Sequence, residues 1–334
     1  MFTAIASSRQ PIRLHQLQGT IIASTGPYIA KAQGGQLLEQ RKTEAVAAPD
    51  DQGVFSPPLD LKDIRTIDGR WPDCAWISAQ VGWAFSGRTP YPREGMLRWD
   101  EGRGQWVEQP GIAWARGWAD GVLAVAVDGK LRWVDGSDRP IPLLFVERPV
   151  PDFLSLSSYK VTKDGDILFE IQRSPHFAPG WWLFPRGGSE GERLDFQSLP
   201  ELAGSSIFVN FGPSPYDWIA QGRLASEEPF GAYHLDGRWH MLPQMPLSSK
   251  WVQRELVVSP LGGFYMVSFE RFGSLSICRL VGGQVWEPIP IFFYPNRCFP
   301  SDYQLRIDEE GDLWLAIDFG DLKQNDVVLY HARG

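Results

Sequence analysis

The chain has 334 residues, of which 43% are hydrophobic, and a net charge of −8. This composition supports a large core and argues against a disordered chain, while the acidic charge argues against a general nucleic-acid or anionic-membrane binder, because phosphate contacts require a basic face. Because of this charge we expect no nucleic-acid partner. No apolar segment is long enough to span a bilayer, so we also expect no membrane insertion.

A strand, a Gly-containing turn and a second strand with Trp or Leu recur along the chain. In chain order the copies are YIAKAQGGQLLEQ, MLRWDEGRGQWVEQP, KLRWVDGSDRPIPL, WWLFPRGGSEGERLDFQSLP, GAYHLDGRWHMLPQMP, LSICRLVGGQVWEPIP and VVLYHARG. One turn glycine from each copy gives Gly35, Gly102, Gly136, Gly187, Gly237, Gly283 and Gly334, at intervals of 67, 34, 51, 50, 46 and 51 residues. Most of these intervals are close to the 40–50 residues that one propeller blade takes.

The long first interval contains QRKTEAVAAPDDQGVFSPPLD, from Gln40 to Asp60. This polar stretch is rich in Pro and Ala, and we interpret residues 40–60 as an inserted loop or arm. The arm would contact a second chain or dock on its own propeller, and the sequence leaves both open.

A second pair of short strands precedes the hairpins. Four examples are AWARGWADG-VLAVAV, SSYKVTKDG-DILFEIQ, RELVVSPLGG-FYMVSFE and YQLRIDEEG-DLWLAID. The second strand of each pair is nearly all apolar, as expected for a strand buried on both faces between neighbouring sheets. Each unit therefore predicts four antiparallel strands, which we call a to d from the inside outwards.

The last unit supplies strands a, b and c, and the chain stops at the next turn. The N-terminal segment FTAIASS is predicted to supply strand d, which removes a sheet edge that would invite aggregation. We therefore predict an all-β fold, a single β-propeller domain over residues 1–334 with seven four-stranded blades, closed by its N- and C-terminal strands. Six or eight blades are the alternatives, because the first blade is weakly marked.

Two units also resemble a known repeat family. EEGDLWLAI (Glu309 to Ile317) and GMLRWDEGRGQWVEQ (Gly95 to Gln109) are similar to the propeller repeats of bacterial two-component-regulator sensor proteins, D-x-x-G-x-L-W-h-G-T followed by G-L-x-R-Y-D. Ile317 and Asp318 replace the Gly-Thr of that pattern. The Trp-bearing outer strands resemble tectonin-type lectin propellers more weakly. The resemblance implies a propeller architecture, and fold alone does not decide function.

The b–c connections are the candidate functional loops, because in a propeller they lie on one face beside the central channel. They are residues 87–95, 172–180, 222–231, 270–274 and 318–326. Arginine recurs near the end of strand b, and aromatic residues or histidine follow it. The predicted binding residues are Arg88, Tyr91, Arg93, Arg173, His176, Phe177, Arg223, Phe230, Arg271 and Phe272.

Guanidinium groups at equivalent points of a ring suit an anionic ligand, and loops with Arg and aromatic residues are typical of protein interfaces. The alternative is that each arginine pairs with an acidic neighbour in sequence. These neighbours are Glu227, Glu228, Glu270 and Asp318.

Other constellations indicate little chemistry. The sequence has no G-x-S-x-G, P-loop or H-E-x-x-H motif, and we predict no catalytic residue, no cofactor and no metal. His234 and His240 flank one hairpin turn and would offer two metal ligands if they lay opposite one another, whereas zinc needs three or four. The outer-strand tryptophans Trp106, Trp239 and Trp286 would stack on sugars if they were exposed.

Three cysteines, Cys74, Cys278 and Cys298, form no C-x-x-C pair. Together with the absence of a basic start followed by an apolar run, they predict a cytoplasmic protein. The resemblance to the repeats of bacterial sensor proteins implies a bacterial source. The predicted function is a non-catalytic scaffold that presents an Arg/aromatic loop face to a protein partner. The alternatives are a hydrolase or lyase at the channel mouth and a carbohydrate-binding lectin.

Overall fold

A computed structural model gives the fold. It describes residues 1–17, 19–47, 59, 61–71, 74–110, 112–116, 123–126, 131–133, 159–161, 166–171, 178–185, 190–194, 207–210, 219–223, 226, 228–235, 238–244, 253–270, 274–291, 300–320 and 325–334.

All regular secondary structure in these residues is β-strand. The first fourteen strands are β1 (Thr3–Ser8), β2 (Ile12–Leu17), β3 (Thr20–Thr25), β4 (Tyr28–Gln33), β5 (Gln36–Lys42), β6 (Ala45–Val46), β7 (Asp63–Arg70), β8 (Cys74–Ser86), β9 (Thr89–Asp100), β10 (Gln105–Glu108), β11 (Ile112–Arg116), β12 (Leu123–Ala126), β13 (Leu131–Trp133) and β14 (Tyr159–Val161). The others are β15 (Ile167–Ile171), β16 (Gly180–Phe184), β17 (Glu192–Arg193), β18 (Ile207–Asn210), β19 (Ile219–Arg223), β20 (Pro229–Leu235), β21 (Arg238–Met241), β22 (Gln253–Val258), β23 (Phe264–Phe269), β24 (Leu275–Val281), β25 (Val285–Ile289), β26 (Asp302–Ile307), β27 (Leu313–Gly320) and β28 (Asn325–Ala332).

Two compact units divide the chain. The first comprises Met1–Thr25, Ala30–Glu39 and Asp195–Gly334, and the second comprises Gly26–Ile29 and Gln40–Leu194. The first holds the sheets β18-β19-β20-β21, β22-β23-β24-β25 and β1-β28-β27-β26, together with most of β2-β3-β4-β5. The second holds β6-β10-β9-β8-β7, β11-β12-β13 and β14-β15-β16-β17.

The strand order identifies an all-β chain with the β-propeller fold, because consecutive strands pair in antiparallel sheets that succeed one another along the sequence. Six of these sheets have four or five strands each, and β11-β12-β13 has three. The described residues therefore show six complete blades and not the seven that the sequence predicts. A fourth strand for β11-β12-β13 would come after Trp133, and residues 134–158 lie outside the described part of the chain.

The predicted hairpins form where glycine permits the turn. Gly34 and Gly35 join β4 to β5 with φ of 56° and 76°, and Gly282 and Gly283 join β24 to β25 with φ of 58° and 69°. Two successive positive φ values match the twist of a tight hairpin, and glycine adopts them without a Cβ clash.

The closing blade, β1-β28-β27-β26, belongs to the first unit. β1 pairs antiparallel with β28, from Thr3 opposite His331 to Ser8 opposite Val327, as predicted from the sequence. The apolar run of β27 is buried almost throughout, as expected for a strand covered on both faces. Trp314 and Tyr330 are fully buried in this sheet.

The predicted arm at residues 40–60 is partly strand. β5 continues to Lys42, and β6 adds a parallel edge strand to β10, with Ala45 opposite Trp106. The backbone N–H of Leu59 donates to the carbonyl of Ala45 at 2.7 Å. Residues 48–58 and 60 lie outside the described residues.

Candidate protein-binding surface

Strands β8 and β9 are much longer than their neighbours. β7 pairs with β8 only as far as Gln80, and β10 pairs with β9 only over Leu97–Asp100. Beyond those points β8 and β9 pair with each other alone, as far as Ser86 opposite Thr89. We call residues 81–94, a two-stranded ribbon with its turn at Gly87 and Arg88, the β8–β9 extension.

The base of the extension is fixed by a bulge and an ion pair. The register shifts between Gln80 and Gly82, and the intervening Val81 is buried. Bulges of this kind bend a strand and change its direction. The Arg93 guanidinium donates to the largely buried carboxylate of Glu108 at 2.5 Å.

The two faces of the extension differ in composition. Residues directly opposite each other in an antiparallel pair share a face. Trp83 lies opposite Pro92 and Phe85 opposite Pro90, so these four residues form one apolar face. Tyr91 lies opposite Ala84 on the other face.

Three aromatic side chains of the extension face solvent: Trp83 is 57% exposed, Phe85 68% and Tyr91 48%. Exposed aromatic residues clustered on one element mark interaction sites, because large apolar surface is otherwise buried. The other exposed large apolar residues among those described are Met1, Tyr28, Leu38, Met241, Leu261 and Val285, and of these only Tyr28 is aromatic.

The prediction that residues 87–95 form a loop is wrong, because strand β9 begins at Thr89. The two prolines suggest a loop, yet proline is tolerated on an edge strand, where no neighbour needs its missing N–H. Pro90 and Pro92 precede the stretch of β9 that pairs with β10, so neither interrupts a ladder on that side.

The structure locates five of the ten predicted binding residues. Arg88 is exposed in the turn of the extension, and Tyr91 and Arg93 lie on β9. Arg223 is the last residue of β19. Phe230 is 4% exposed, so its side chain belongs to the core and offers nothing to a partner. The remaining five, Arg173, His176, Phe177, Arg271 and Phe272, lie outside the described residues.

Sequence reasoning missed Trp83 and Phe85, whose exposed fractions are the highest among the described aromatic residues. The sequence does contain a pattern that indicates this face. Trp83 and Phe85 precede the Gly87-Arg88 turn, and Pro90 and Pro92 follow it with the same alternate spacing. Two apolar residues at alternate positions of each strand indicate one continuous face.

The outer-strand tryptophans do not form a sugar-binding array. Trp106 is 2% exposed, whereas Trp239 and Trp286 are partly buried. The indole N–H of Trp286 donates to the carbonyl of Pro243 at 3.2 Å. The lectin alternative expects exposed tryptophan faces in equivalent blades, and these three residues do not provide them.

The two histidines of the β20–β21 hairpin do not lie opposite one another. His234 is opposite Trp239, and His240 is opposite Tyr233, against which it stacks at 5.1 Å. Adjacent register positions point to opposite faces, so the two imidazoles are separated by the sheet. Within the described ranges, no three His, Cys, Asp or Glu side chains are grouped as a metal site requires.

His15 is a buried titratable group with a clear structural partner. Its Nε2 lies 2.8 Å from the hydroxyl oxygen of Ser24. Burial, together with the positive charges of Arg306 and Arg13, lowers the pKa of His15 to about 3. The imidazole is therefore neutral at physiological pH and hydrogen-bonded in the core.

Two carboxyl groups near the closing blade have raised pKa values. Burial raises the pKa of Asp308, while hydrogen bonds from the Trp314 indole and the Asp312 backbone N–H oppose the shift. Burial also raises the pKa of Asp318, whose buried Oδ1 has no hydrogen-bond partner among the described residues. Asp308 thus orders the turn between β26 and β27 through its bond to Asp312. Asp318 is a partly buried acid near the end of β27.

In the part of the chain that the structure describes, no helix is long and apolar enough to cross a membrane. Cys278 is buried and has an unoxidised thiol.

Solved structures similar to this chain share its fold. It is similar to YCF48 bound to D1 peptide, with a TM-score of 0.52 and 12% identity over 100% of this chain and 97% of that one. It is also similar to a chain of the mitotic checkpoint complex (TM-score 0.49, 8% identity, 100% and 91% covered). A third similar structure is the gluconolactonase XC5397 of Xanthomonas campestris (TM-score 0.36, 14% identity, 98% and 89% covered).

At these identities the likeness shows the β-propeller fold and nothing finer. No protein-family model and no curated protein matches the chain. The resemblance to two-component-regulator repeats is therefore supported for the fold alone.

Proposed function

We propose that this chain is a non-catalytic, protein-binding β-propeller, and that its partner binds the β8–β9 extension. The observation that carries the proposal is the apolar face of Trp83, Phe85, Pro90 and Pro92, whose two aromatic side chains are mostly exposed. Aromatic anchors supply much of the affinity in protein interfaces.

The geometry of the extension suits a protein partner more than a small molecule. A ribbon of two strands offers a flat face and not a concave pocket, and small ligands bind mainly in concave sites. Arg88 at the tip adds a guanidinium that can bind a carboxylate of the partner. The YCF48 propeller is bound to a peptide, which shows only that the fold is compatible with this use.

We further propose that the surface is carried by a single seven-bladed propeller over residues 1–334, with β11-β12-β13 as part of the seventh blade. The sparse cysteines favour a cytoplasmic setting. A hydrolase or lyase would need titratable groups that converge on a pocket, and His15, Asp308 and Asp318 offer no such convergence in the described residues.

The test uses a photo-crosslinking amino acid placed at Phe85 in the full chain, followed by mass spectrometry of the products from the source lysate. The matched control carries the same amino acid at Leu261, which is 72% exposed in the other unit. We expect one protein to dominate the adducts formed from position 85. The same protein should be absent from the adducts formed from position 261.

The captured protein is then purified, and its affinity for the chain is measured by calorimetry. We expect the double variant Trp83→Ala/Phe85→Ala to weaken binding by about 100-fold, since two aromatic anchors contribute about 3 kcal/mol. Equal affinity for the double variant and the wild type would contradict the proposal.

A further inference from the structure

Three tryptophans and one arginine form a cleft in the second unit, outside the β8–β9 extension. The cleft is lined by Ile29, Arg41, Trp71, Trp99 and Trp106. Arg41 lies near the end of β5, and Trp99 and Trp106 face each other across β9 and β10.

The arginine already makes a specific contact with the rings. The guanidinium carbon of Arg41 lies 5.4 Å from the ring centroid of Trp71 and 5.9 Å from that of Trp99. Both distances fall within the roughly 6 Å over which a cation is attracted to an aromatic face. One guanidinium therefore contacts two indole rings.

The third tryptophan supports this arrangement. Trp106 is 2% exposed and meets Trp99 edge-on, with 5.3 Å between ring centroids and 66° between ring planes. Trp71 and Trp99 are only partly buried, and Arg41 lies over both rings. Edge-to-face packing on a buried ring holds the Trp99 plane in place.

We propose that this cleft binds a weakly hydrated organic cation, a guanidinium or quaternary ammonium group, and that Arg41 occupies the site until such a ligand displaces it. The described lining residues include no carboxylate, so the attraction for positive charge comes from the indole faces. Aromatic faces favour soft cations over strongly hydrated ammonium or metal ions, because soft cations lose less hydration on binding.

The side chain of Arg41 is suited to act as a displaceable occupant. Residue 41 is exposed, and a long, exposed side chain regains rotamer entropy when it leaves a contact. The net charge of −8 also favours the approach of a cation. Arg41 thus competes with the ligand, and its removal opens the cleft.

The test titrates the purified full chain by calorimetry with choline, with a short peptide containing trimethyllysine and with the same peptide containing arginine. The neutral control is 3,3-dimethylbutan-1-ol, which has the shape of choline with carbon in place of nitrogen. We expect at least one cation to bind and the neutral alcohol to bind at least about tenfold more weakly.

Variants locate the site. Arg41→Ala should bind the cation about fivefold more tightly, because the internal competitor is gone. Trp99→Ala should lose binding. Trp239→Ala is the matched control, because it removes a partly buried tryptophan of the other unit, and it should bind like the wild type.

The probe that binds identifies the source of the cation. Binding of choline alone indicates a free quaternary ammonium compound, whereas binding of a peptide alone indicates a side chain of another protein, and both support the cation site. Equal binding of the neutral alcohol, no binding by Arg41→Ala, or the same loss in Trp239→Ala as in Trp99→Ala would overturn it. A failed titration leaves the protein-binding proposal standing, since neither Arg41 nor Trp99 lies in the extension.

Discussion

The neutral, buried imidazole of His15 makes the stability of the protein depend on pH. In the unfolded chain a histidine titrates near 6.5, whereas the folded protein holds the pKa of His15 near 3. As the pH falls below 6.5, His15 becomes protonated in the unfolded state but stays neutral in the folded state. The free energy of unfolding therefore decreases with acidification over this window.

We expect His15 to contribute a loss of about 2 kcal/mol between pH 7 and pH 5. The variant His15→Gln keeps a hydrogen-bonding group beside Ser24 but cannot be protonated, so its unfolding free energy should fall by about 2 kcal/mol less over the same range. Urea unfolding at the two pH values measures this difference. His240→Gln, on an exposed strand, is the control and should behave as wild type. Parallel pH profiles for His15→Gln and wild type would refute the assignment.

At the scale of the element, the Arg93–Glu108 contact decides how firmly the β8–β9 extension is held. Glu108 is buried on β10, and its partner Arg93 lies within the extension. An ion pair with one buried member contributes more than an exposed pair, because its loss leaves a group without a partner. The extension should therefore loosen when the pair is removed.

We expect Glu108→Gln to speed amide hydrogen exchange in residues 82–93 by about fivefold, which corresponds to roughly 1 kcal/mol of local opening energy. Exchange elsewhere in the chain should change little. The control Arg65→Gln removes the Arg65–Glu94 pair, which is about half exposed on both sides, and should have a smaller effect. An equal response in the two variants would mean that the buried pair does not hold the extension.

Strands were predictable from the sequence where two signals agreed. For β27 the apolar run and its glycine-flanked turn both indicate a buried strand, and the structure buries it. For the extension the signals conflict, because Pro90 and Pro92 indicate a loop while alternation indicates a strand. The long pairing of β8 with β9 decides the outcome, and pairing partners are not visible in a local window of sequence.

The candidate surface was less predictable than the fold for the same reason. Arg88 and Tyr91 were predicted as binding residues because they lie beside a visible turn, and the structure exposes both. Trp83 was missed because its exposure depends on where β7 begins, which is a property of the neighbouring strand. Phe230 was misjudged because strand burial, and not proximity to a turn, determines what a side chain contacts.

At the scale of the whole molecule, the pairing of β1 with β28 closes the last blade. Without β1 the backbone groups of β28 from Val327 to His331 would form an open sheet edge. Such edges promote association between chains. β1 therefore prevents association through the edge of β28 as well as stabilising the blade.

We expect deletion of residues 1–9 to lower the melting temperature and to produce concentration-dependent oligomers in light scattering. A synthetic peptide of residues 1–10 should restore both properties, because a ligand that binds only the folded state stabilises it by mass action. The control peptide has Ala4→Pro and Ala6→Pro, which remove ladder N–H groups. A deletion variant that stays monomeric and fully stable would show that β1 does not serve as the closing strand.

The pairing of β1 with β28 also has a consequence for synthesis on the ribosome. β1 is made long before β28, because its partners in the register begin at Val327 and end at His331. At about 5–20 residues per second, β1 waits roughly 15–65 s before any of β28 exists. Its sequence TAIASS is short and made mostly of small or polar residues, which keeps a strand soluble while it has nothing to pair with.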